Sequence, residues 1–500
     1  MLQKTSRRQF LEETMFSAAA AVAASAVGQL SASEQEIHEV ARRVPGRKLE
    51  IAVVGVRGRG KSHLTAFQQL AGANVRCVVD VDREIGLKRC GEIAKRQRGR
   101  APRFYTDIRE ALDDPAIDIV SIASPNHWHA LMAIWALQAG KHVLLEVPVS
   151  HNVSEGRAIV AASRAANRVC QVGLQSRSNP GTRQAMGFLH GGGIGELSRA
   201  LAICYRPRPP IGPPQTTLPP PTVDFNLWSG PASLQAPTRQ RFHHDWQWFW
   251  NYGNGELGYQ GVHQMDIARW GMQLPRLSNR VFSYGGRFGP VDAGETANTQ
   301  VVVHSFDSPE REIRFELRSC SMSGVKQSRD YRNIKAGVVF EGSDGFLIMT
   351  TYYSGAAFDR QGRLIKSFCG QGNHFARFLA TVRGERVLPN DADILEGHLS
   401  SSLCHLGNIS YRLGSEVSVE AAASLVRERD QADQSLETFS RMLDHLRKQR
   451  IDLQTASVRV GDWLEFNPVS EKFHGQHAAD ALLSRAYRSP FILPDAAQQT

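Results

Sequence analysis

Leu49-Glu50-Ile51-Ala52-Val53-Val54-Gly55-Val56-Arg57-Gly58-Arg59-Gly60 is an apolar run that passes directly into three glycines. A run this rich in Ile and Val, with no polar alternation, suits a strand buried on both faces of a parallel sheet. After the glycines, Leu64, Phe67 and Leu70 recur at helical spacing, and Gly72 stops the helix. NVRCVVD (74–80) reads as a second strand ending at Asp80, IDIVSIAS (117–124) as a later one and HVLLEVP (142–148) as the next. Between the last two, PNHWHALMAIWALQAG (125–140) predicts a helix with Asn126 as N-cap and Gly140 just past its end. A further helix is expected over about 154–167. Strands alternating with helices in this way predict a doubly wound parallel sheet and an α/β fold.

From Val169 the pattern changes. VCQVGLQ (169–175) is one more strand, followed by the proline tract RPRPPIGPPQTTLPPP (206–221), which can only be an extended arm or loop. Then come NTQVVVHSF, REIRFEL, AGVVFEG and FLIMTTYY, β-rich runs between turn residues that predict a large, mostly antiparallel sheet. Leu436, Phe439, Met442, Leu443 and Leu446 form the apolar stripe of a C-terminal helix. The expected division is 1–33 signal segment, 34–47 linker, 48–168 nucleotide-binding domain, 169–411 α+β substrate and oligomerisation domain, and 412–500 helical extension packing on both.

With 22% charged and 42% hydrophobic residues, this is ordinary globular composition. The net charge of +10 is spread over scattered arginines, without a basic helix or zinc-finger spacing, so no nucleic-acid partner is expected. Seven cysteines fall at irregular spacing with no C-x-x-C pair, so neither a metal site nor a disulfide framework is signalled. Ser6-Arg7-Arg8-Gln9-Phe10-Leu11, the alanine-rich stretch Met15 to Val27 and small residues near Ala26 and Ser33 form a twin-arginine signal. Export to the periplasm follows, without stable membrane insertion once the signal is removed; an uncleaved anchor is the alternative.

Gly55, Gly58, Arg59 and Gly60 lie where backbone N–H groups and a helix N-terminus can cradle a pyrophosphate. The spacing is G-x-x-G-x-G, and a structural turn is the bland alternative. Asp80, 25 residues after Gly55, can accept from both adenosine ribose hydroxyls and would repel a 2′-phosphate. That favours NAD, although Arg59 and Arg83 leave NADP open. Ser124-Pro125-Asn126-His127-Trp128-His129 sits at the carboxyl end of a strand, where ligands bind in such sheets. Helix-start packing is the alternative for its two histidines. His263, Asp266, Ile267 and Trp270 share one helix face, and His263 is placed to take a proton from a hydroxyl. The alternative is a buried hydrogen-bonded His263–Asp266 pair. Upstream, five aromatics crowd Trp246 to Tyr252; Trp248 and Tyr252 suit stacking on a sugar ring, or a core. Arg206 and His244 are candidates for the pocket rim.

With Glu146-Val147-Pro148 closing a buried strand, this arrangement resembles the Gfo/Idh/MocA family of nicotinamide-dependent sugar oxidoreductases. The resemblance covers about residues 48 to 495, including HLGNISYRLG (405–414) and YRSPFILPD (487–495), and points to its twin-arginine-exported bacterial branch. It implies that Ser124, Asn126, His129, Glu146 and Gln175 line the nicotinamide side and that His263 is the catalytic histidine. Trp228 belongs to the same family pattern. In the family the tripeptide is Glu-Lys-Pro, and an aspartate stands four residues before the histidine. Here those positions are Val147 and Tyr259. The implied function is hydride transfer at a hydroxyl of a sugar, polyol or glycoside by a homo-oligomer, with His263, Tyr259 and Asp266 as the catalytic candidates. The alternatives are glycoside cleavage with a recycled NAD and a sugar-binding protein that has lost the chemistry.

Overall fold

The computed structural model describes residues 47–97, 99–325, 334–384, 392–430, 432 and 434–494. The twin-arginine segment and all but the last residue of the expected linker lie outside them.

Six parallel strands, β1 (Leu49–Val54), β2 (Ala73–Val79), β3 (Arg103–Tyr105), β4 (Ile119–Ile122), β5 (His142–Leu145) and β6 (Cys170–Val172), stand in the order β3-β2-β1-β4-β5-β6. Their side chains alternate between two cores. Ile51 and Val53 pack with Leu64 and Phe67 of the helix Arg59–Gln69. Ala52 and Val54 face the helices Asn126–Gln138 and Val153–Ala166 on the other side. Both faces are therefore covered, as the apolar run of β1 requires. The strand order reverses between β1 and β4, which opens a crevice at their carboxyl ends.

The second sheet has twelve strands: β7 (Leu197–Cys204), β8 (Arg280–Gly286), β9 (Thr299–Asp307), β10 (Glu310–Arg318), β11 (Ala336–Gly342), β12 (Gly345–Met349), β13 (Ser354–Asp359), β14 (Leu364–Cys369), β15 (Ser415–Ser418), β16 (Ser457–Val460), β17 (Leu464–Asn467) and β18 (Lys472–Phe473). All its pairings are antiparallel except β7 with β10. Val302 and Phe315 face the core shared with the helices Gly261–Gly271 and Ile394–Leu413. Phe282, Tyr284 and Val303 face the opposite way, onto the helices Val419–Arg429 and Ser435–Lys448. The proline tract runs without helix or strand, and its Leu218 is 91% exposed.

Three expectations need correction. The strand from Cys170 belongs to the first sheet, because Val143, Leu144 and Leu145 pair with Cys170, Gln171 and Val172, so the boundary lies beyond 168. The segment after 411 is not wholly helical: β15 and β16 extend the second sheet and β17 pairs with β8. Asn126 does not cap its helix; Pro125 holds that position, and the Asn126 amide donates to Asn254 Oδ1 at 3.0 Å. Gly140 does follow the helix end with a positive φ of 72°. The Val147–Pro148 bond is cis. Among the described residues no helix is long and apolar enough to cross a membrane.

Candidate active site

A cavity of about 560 Å³ opens at the β1–β4 crevice and runs from the glycine loop to the second domain. That size suits a cofactor with a small substrate. At the glycine loop, Gly55 has φ +76°, and an added Cβ would stand 2.7 Å from Ser124 N. Gly60 opens the helix Arg59–Gln69, and its Cβ would lie 2.1 Å from the Gly55 carbonyl oxygen. Gly58, by contrast, has nothing within 4 Å of an added Cβ. The turn is thus closed by two glycines while the third leaves open space beside a helix N-terminus. This is the shape a dinucleotide pyrophosphate needs.

Asp80 ends β2 and is bound to the same loop. Its Oδ2 accepts from Val56 N at 2.8 Å and its Oδ1 from Asp82 N at 2.9 Å. Burial pushes its pKa up to about 6, against the pull of those two donors. Each oxygen keeps a lone pair for a ribose hydroxyl. Ser124 lines the cavity, and its buried Oγ has no partner among the described residues, so it is available to a bound cofactor. The residues fit NAD.

Glu146 is the electrostatic centre of the far end. Its Oε1 accepts from Arg59 Nε at 2.9 Å, lies 2.9 Å from His63 Nε2, and accepts from Gln175 Nε2 at 3.4 Å. Burial opposes ionisation, yet His63 and Arg59 hold the carboxyl well below the usual carboxylate range. His63 is fully buried, and its other nitrogen lies 2.8 Å from Ser121 Oγ. The Glu146 carboxylate is therefore fixed from behind. His129 lines the cavity, but its nitrogens lie 2.7 Å from Pro148 O and 2.8 Å from Ser124 O. It ties the two loops together and is a positioning group rather than a cofactor contact. His127 points away from the cavity, to Trp228 O at 2.8 Å.

At the second domain, Val147, Arg206, His244, Tyr259 and His263 all line the cavity, with Trp228. The His263 ring packs against Tyr352 with centroids 5.2 Å apart. No hydrogen bond from the described residues occupies its nitrogens. Burial pulls its pKa below the ordinary histidine value, more than Glu146 and Asp266 restore it. A neutral imidazole facing the cavity can take a proton from a hydroxyl.

The structure moves three candidates out of the site. Asp266 is buried beneath it, in a bidentate pair with Arg177 and accepting from Ser400 Oγ at 2.8 Å. Its charge is already matched, so it does not reach substrate. Trp248 and Tyr252 do not line the cavity; they are buried in an aromatic cluster with Trp228, Phe242 and Phe249. The guanidinium of Arg239 lies over the Trp228, Phe242 and Tyr252 rings, so their faces are occupied. Trp246, from the same crowded stretch, does reach the cavity. Sequence reasoning missed His63, Gln260, His243 and Tyr352. Only His63 carried a signal, standing three residues after Gly60 on the helix that opens the loop.

Comparison with known proteins agrees with this geometry. Residues 49–174 match the Gfo/Idh/MocA oxidoreductase family's NAD-binding Rossmann fold, and residues 214–273 its C-terminal alpha/beta domain. A levoglucosan dehydrogenase from Pseudarthrobacter phenanthrenivorans is 31% identical over 228 residues, 45% of this chain and 51% of that protein. A glycosyl hydrolase family 109 protein from a Shewanella species is 32% identical over 155 residues, 30% of this chain. The match spans only 33% of that protein's length. The fold is shared with the aldose-aldose oxidoreductase from Caulobacter crescentus, at a TM-score of 0.52 and 17% identity over 72% of this chain and 98% of that one. It is also shared with the WlbA dehydrogenase from Bordetella pertussis, solved with NADH and UDP-GlcNAcA, at a TM-score of 0.51 and 17% identity over 71% and 93%. The glycine-loop Rossmann sheet, with its strand closing on Glu146-Val147-Pro148, and the histidine-bearing helix facing it across one cavity thus fall in the two segments that match the Gfo/Idh/MocA family of NAD-binding oxidoreductases.

Proposed function

We propose that the protein is an NAD-dependent oxidoreductase acting by hydride transfer at a hydroxyl-bearing carbon of a carbohydrate. The observation that carries this reading is one cavity joining the glycine loop to an uncommitted, neutral His263. Gly55, Gly58, Gly60 and Asp80 would hold the nucleotide, and Ser124, Asn126, Glu146 and Gln175 would surround the nicotinamide end. When bound, NAD supplies the acceptor for a hydride. His263 takes the hydroxyl proton. Trp246 offers an apolar face to a sugar ring, with Arg206 and His244 at the rim. The relatives' names favour a sugar derivative as substrate. The twin-arginine motif supports export of the folded protein to the periplasm, and the large sheet supports a homo-oligomer.

The test is reduction of added NAD by the purified mature protein against a panel of sugars, polyols and glycosides. Appearance of NADH with any of them supports the reading. A panel that neither reduces NAD nor oxidises bound NADH overturns it.

A second reading, glycoside cleavage through transient oxidation with retained NAD, is favoured by the glycosyl hydrolase family 109 likeness. It requires release of product from a chromogenic glycoside with no added cofactor and no net NADH.

A further inference from the structure

Val147 presents an apolar side chain to the cavity, 7% exposed, and offers no donor to a bound hydroxyl. A carbinol oxygen that gathers negative charge as hydride leaves must be stabilised by preorganised donors. Beside His263 the cavity wall supplies one. Tyr352 comes from the loop between β12 and β13, and its ring lies against His263. Its hydroxyl oxygen accepts from Gln260 Nε2. Gln260 Oε1 in turn accepts from Arg206 Nη1. The buried side chain of Gln264 also neighbours this hydroxyl, but neither of its polar atoms makes a hydrogen bond of good geometry among the described residues.

The loop that carries Tyr352 is built to hold it still. The Tyr352 carbonyl accepts from Asn179 Nδ2 at 2.8 Å and from Thr182 Oγ1 at 2.7 Å. Gly181 allows the close approach, since a Cβ there would lie 2.1 Å from the Tyr353 carbonyl oxygen. A phenol fixed by its backbone, polarised through an amide and aimed into the cavity is more than wall packing requires.

We propose that Tyr352 is a catalytic residue of this site, donating its hydroxyl proton as a hydrogen bond to the oxygen of the reacting carbon while His263 serves as the base. Gln260 and Arg206 are positioning residues, which bring a positive charge to bear on that phenol where Val147 can bring none. In oxidation the C–H bond breaks and its electron pair goes as hydride to the nicotinamide of NAD. The O–H proton goes to His263, and the carbon–oxygen bond becomes a carbonyl. Tyr352 keeps its own proton throughout, and its hydrogen bond strengthens as charge grows on the substrate oxygen.

The inference rests on the oxidoreductase reading, and the experiment separates the two. Wild type, Tyr352→Phe and Arg206→Met are assayed with NAD and the carbohydrate panel, with NAD affinity measured calorimetrically as the check on folding. The expected result is unchanged NAD affinity in both variants. For Tyr352→Phe, kcat falls about 10²-fold, as for loss of one oxyanion donor, with a smaller change in KM. For Arg206→Met, kcat falls about tenfold, and Arg206→Lys recovers part of the loss. Equal kcat in wild type and Tyr352→Phe overturns the role of Tyr352 while leaving the oxidoreductase reading intact. Should Tyr352→Phe lose NAD affinity through misfolding, an Arg206→Met kcat equal to wild type overturns it instead. Absence of any turnover in the wild type overturns both.

Discussion

Arg177 holds Asp266 through two parallel hydrogen bonds, Nε to Oδ2 and Nη2 to Oδ1, each 2.9 Å long. Both side chains are buried, at 5% and 1% exposure, with Asp266 three residues after His263 on the same helix. Such a pair is expensive to break because the buried guanidinium loses its bidentate partner and keeps only the half-exposed Glu396, 2.9 Å from its Nη2. Asp266→Ala should therefore lower stability by about 3–5 kcal/mol, read from denaturant unfolding. A catalytic Asp266 would instead lose turnover with stability unchanged.

The pH profile of oxidation should carry the signature of His263. Its pKa lies below 6.5 because burial penalises the imidazolium. The base must be neutral to accept a proton, so activity is full above that pKa and is lost as pH falls through it. The kcat/KM profile should thus fall about tenfold per pH unit only on the acid side of the ordinary histidine range. His263→Ala should cost about 10²- to 10⁴-fold in kcat and, with NAD saturating throughout, remove that limb. An unchanged limb in the variant would assign it to another group.

Gly58 and Gly60 make a controlled pair. Gly60→Ala forces a Cβ against the Gly55 carbonyl and should disturb the loop with or without cofactor. Gly58→Ala meets nothing within 4 Å, so it should lower the melting temperature less than Gly60→Ala does. Its NAD affinity should nevertheless fall about tenfold or more, because the added methyl occupies space beside the pyrophosphate cradle. Equal NAD affinity in Gly58→Ala and wild type would place the cofactor elsewhere.

Asp80 should make NAD binding sensitive to acid. Its pKa of about 6 means that the ribose-facing carboxylate is charged above that pH and protonated below it. Wild type should bind NAD more tightly than Asp80→Asn at neutral pH, and titration calorimetry should show the gap closing as pH falls through about 6. A gap independent of pH would mean that the charge is not used.

Two tryptophans two residues apart should behave oppositely. Trp248→Ala opens a void in the buried aromatic cluster and should destabilise by about 3–5 kcal/mol. Trp246→Ala faces the cavity and should raise the substrate KM with little change in unfolding. The reverse assignment of effects would return Trp248 to the site.

Periodicity and punctuation made the first domain legible. The Ile51–Val54 run, the glycine turn and the acid at Asp80 are local signals, and local signals survive in a sequence. The fate of Asp266 was not legible, because its partner Arg177 is 89 residues away and their pairing is decided by how two domains pack. The strand at Cys170 read correctly as a strand, but which sheet it joins depends on pairing with Val143, not on its own residues. Tyr352 lay hidden in FLIMTTYY because strand-forming residues mask a turn, and the bonds from Asn179 and Thr182 that hold it are long-range. The aromatic stretch shows the same limit: its composition suits a binding face, and only the Arg239 guanidinium reveals that most of it is filled.

The C-terminal tail ties the two walls of the cavity to each other. Arg485 reaches His127 O at 2.8 Å and Glu155 at 3.0 Å on the nucleotide-binding side. Three residues later Arg488 donates to Gly230 O at 3.0 Å and to Asn226 Oδ1 at 2.7 Å on the other. With Asn126 bonded to Asn254 across the same seam, the halves are stapled rather than hinged. A dinucleotide seated between them would therefore enter and leave through the mouth of the cavity, not by the jaws parting.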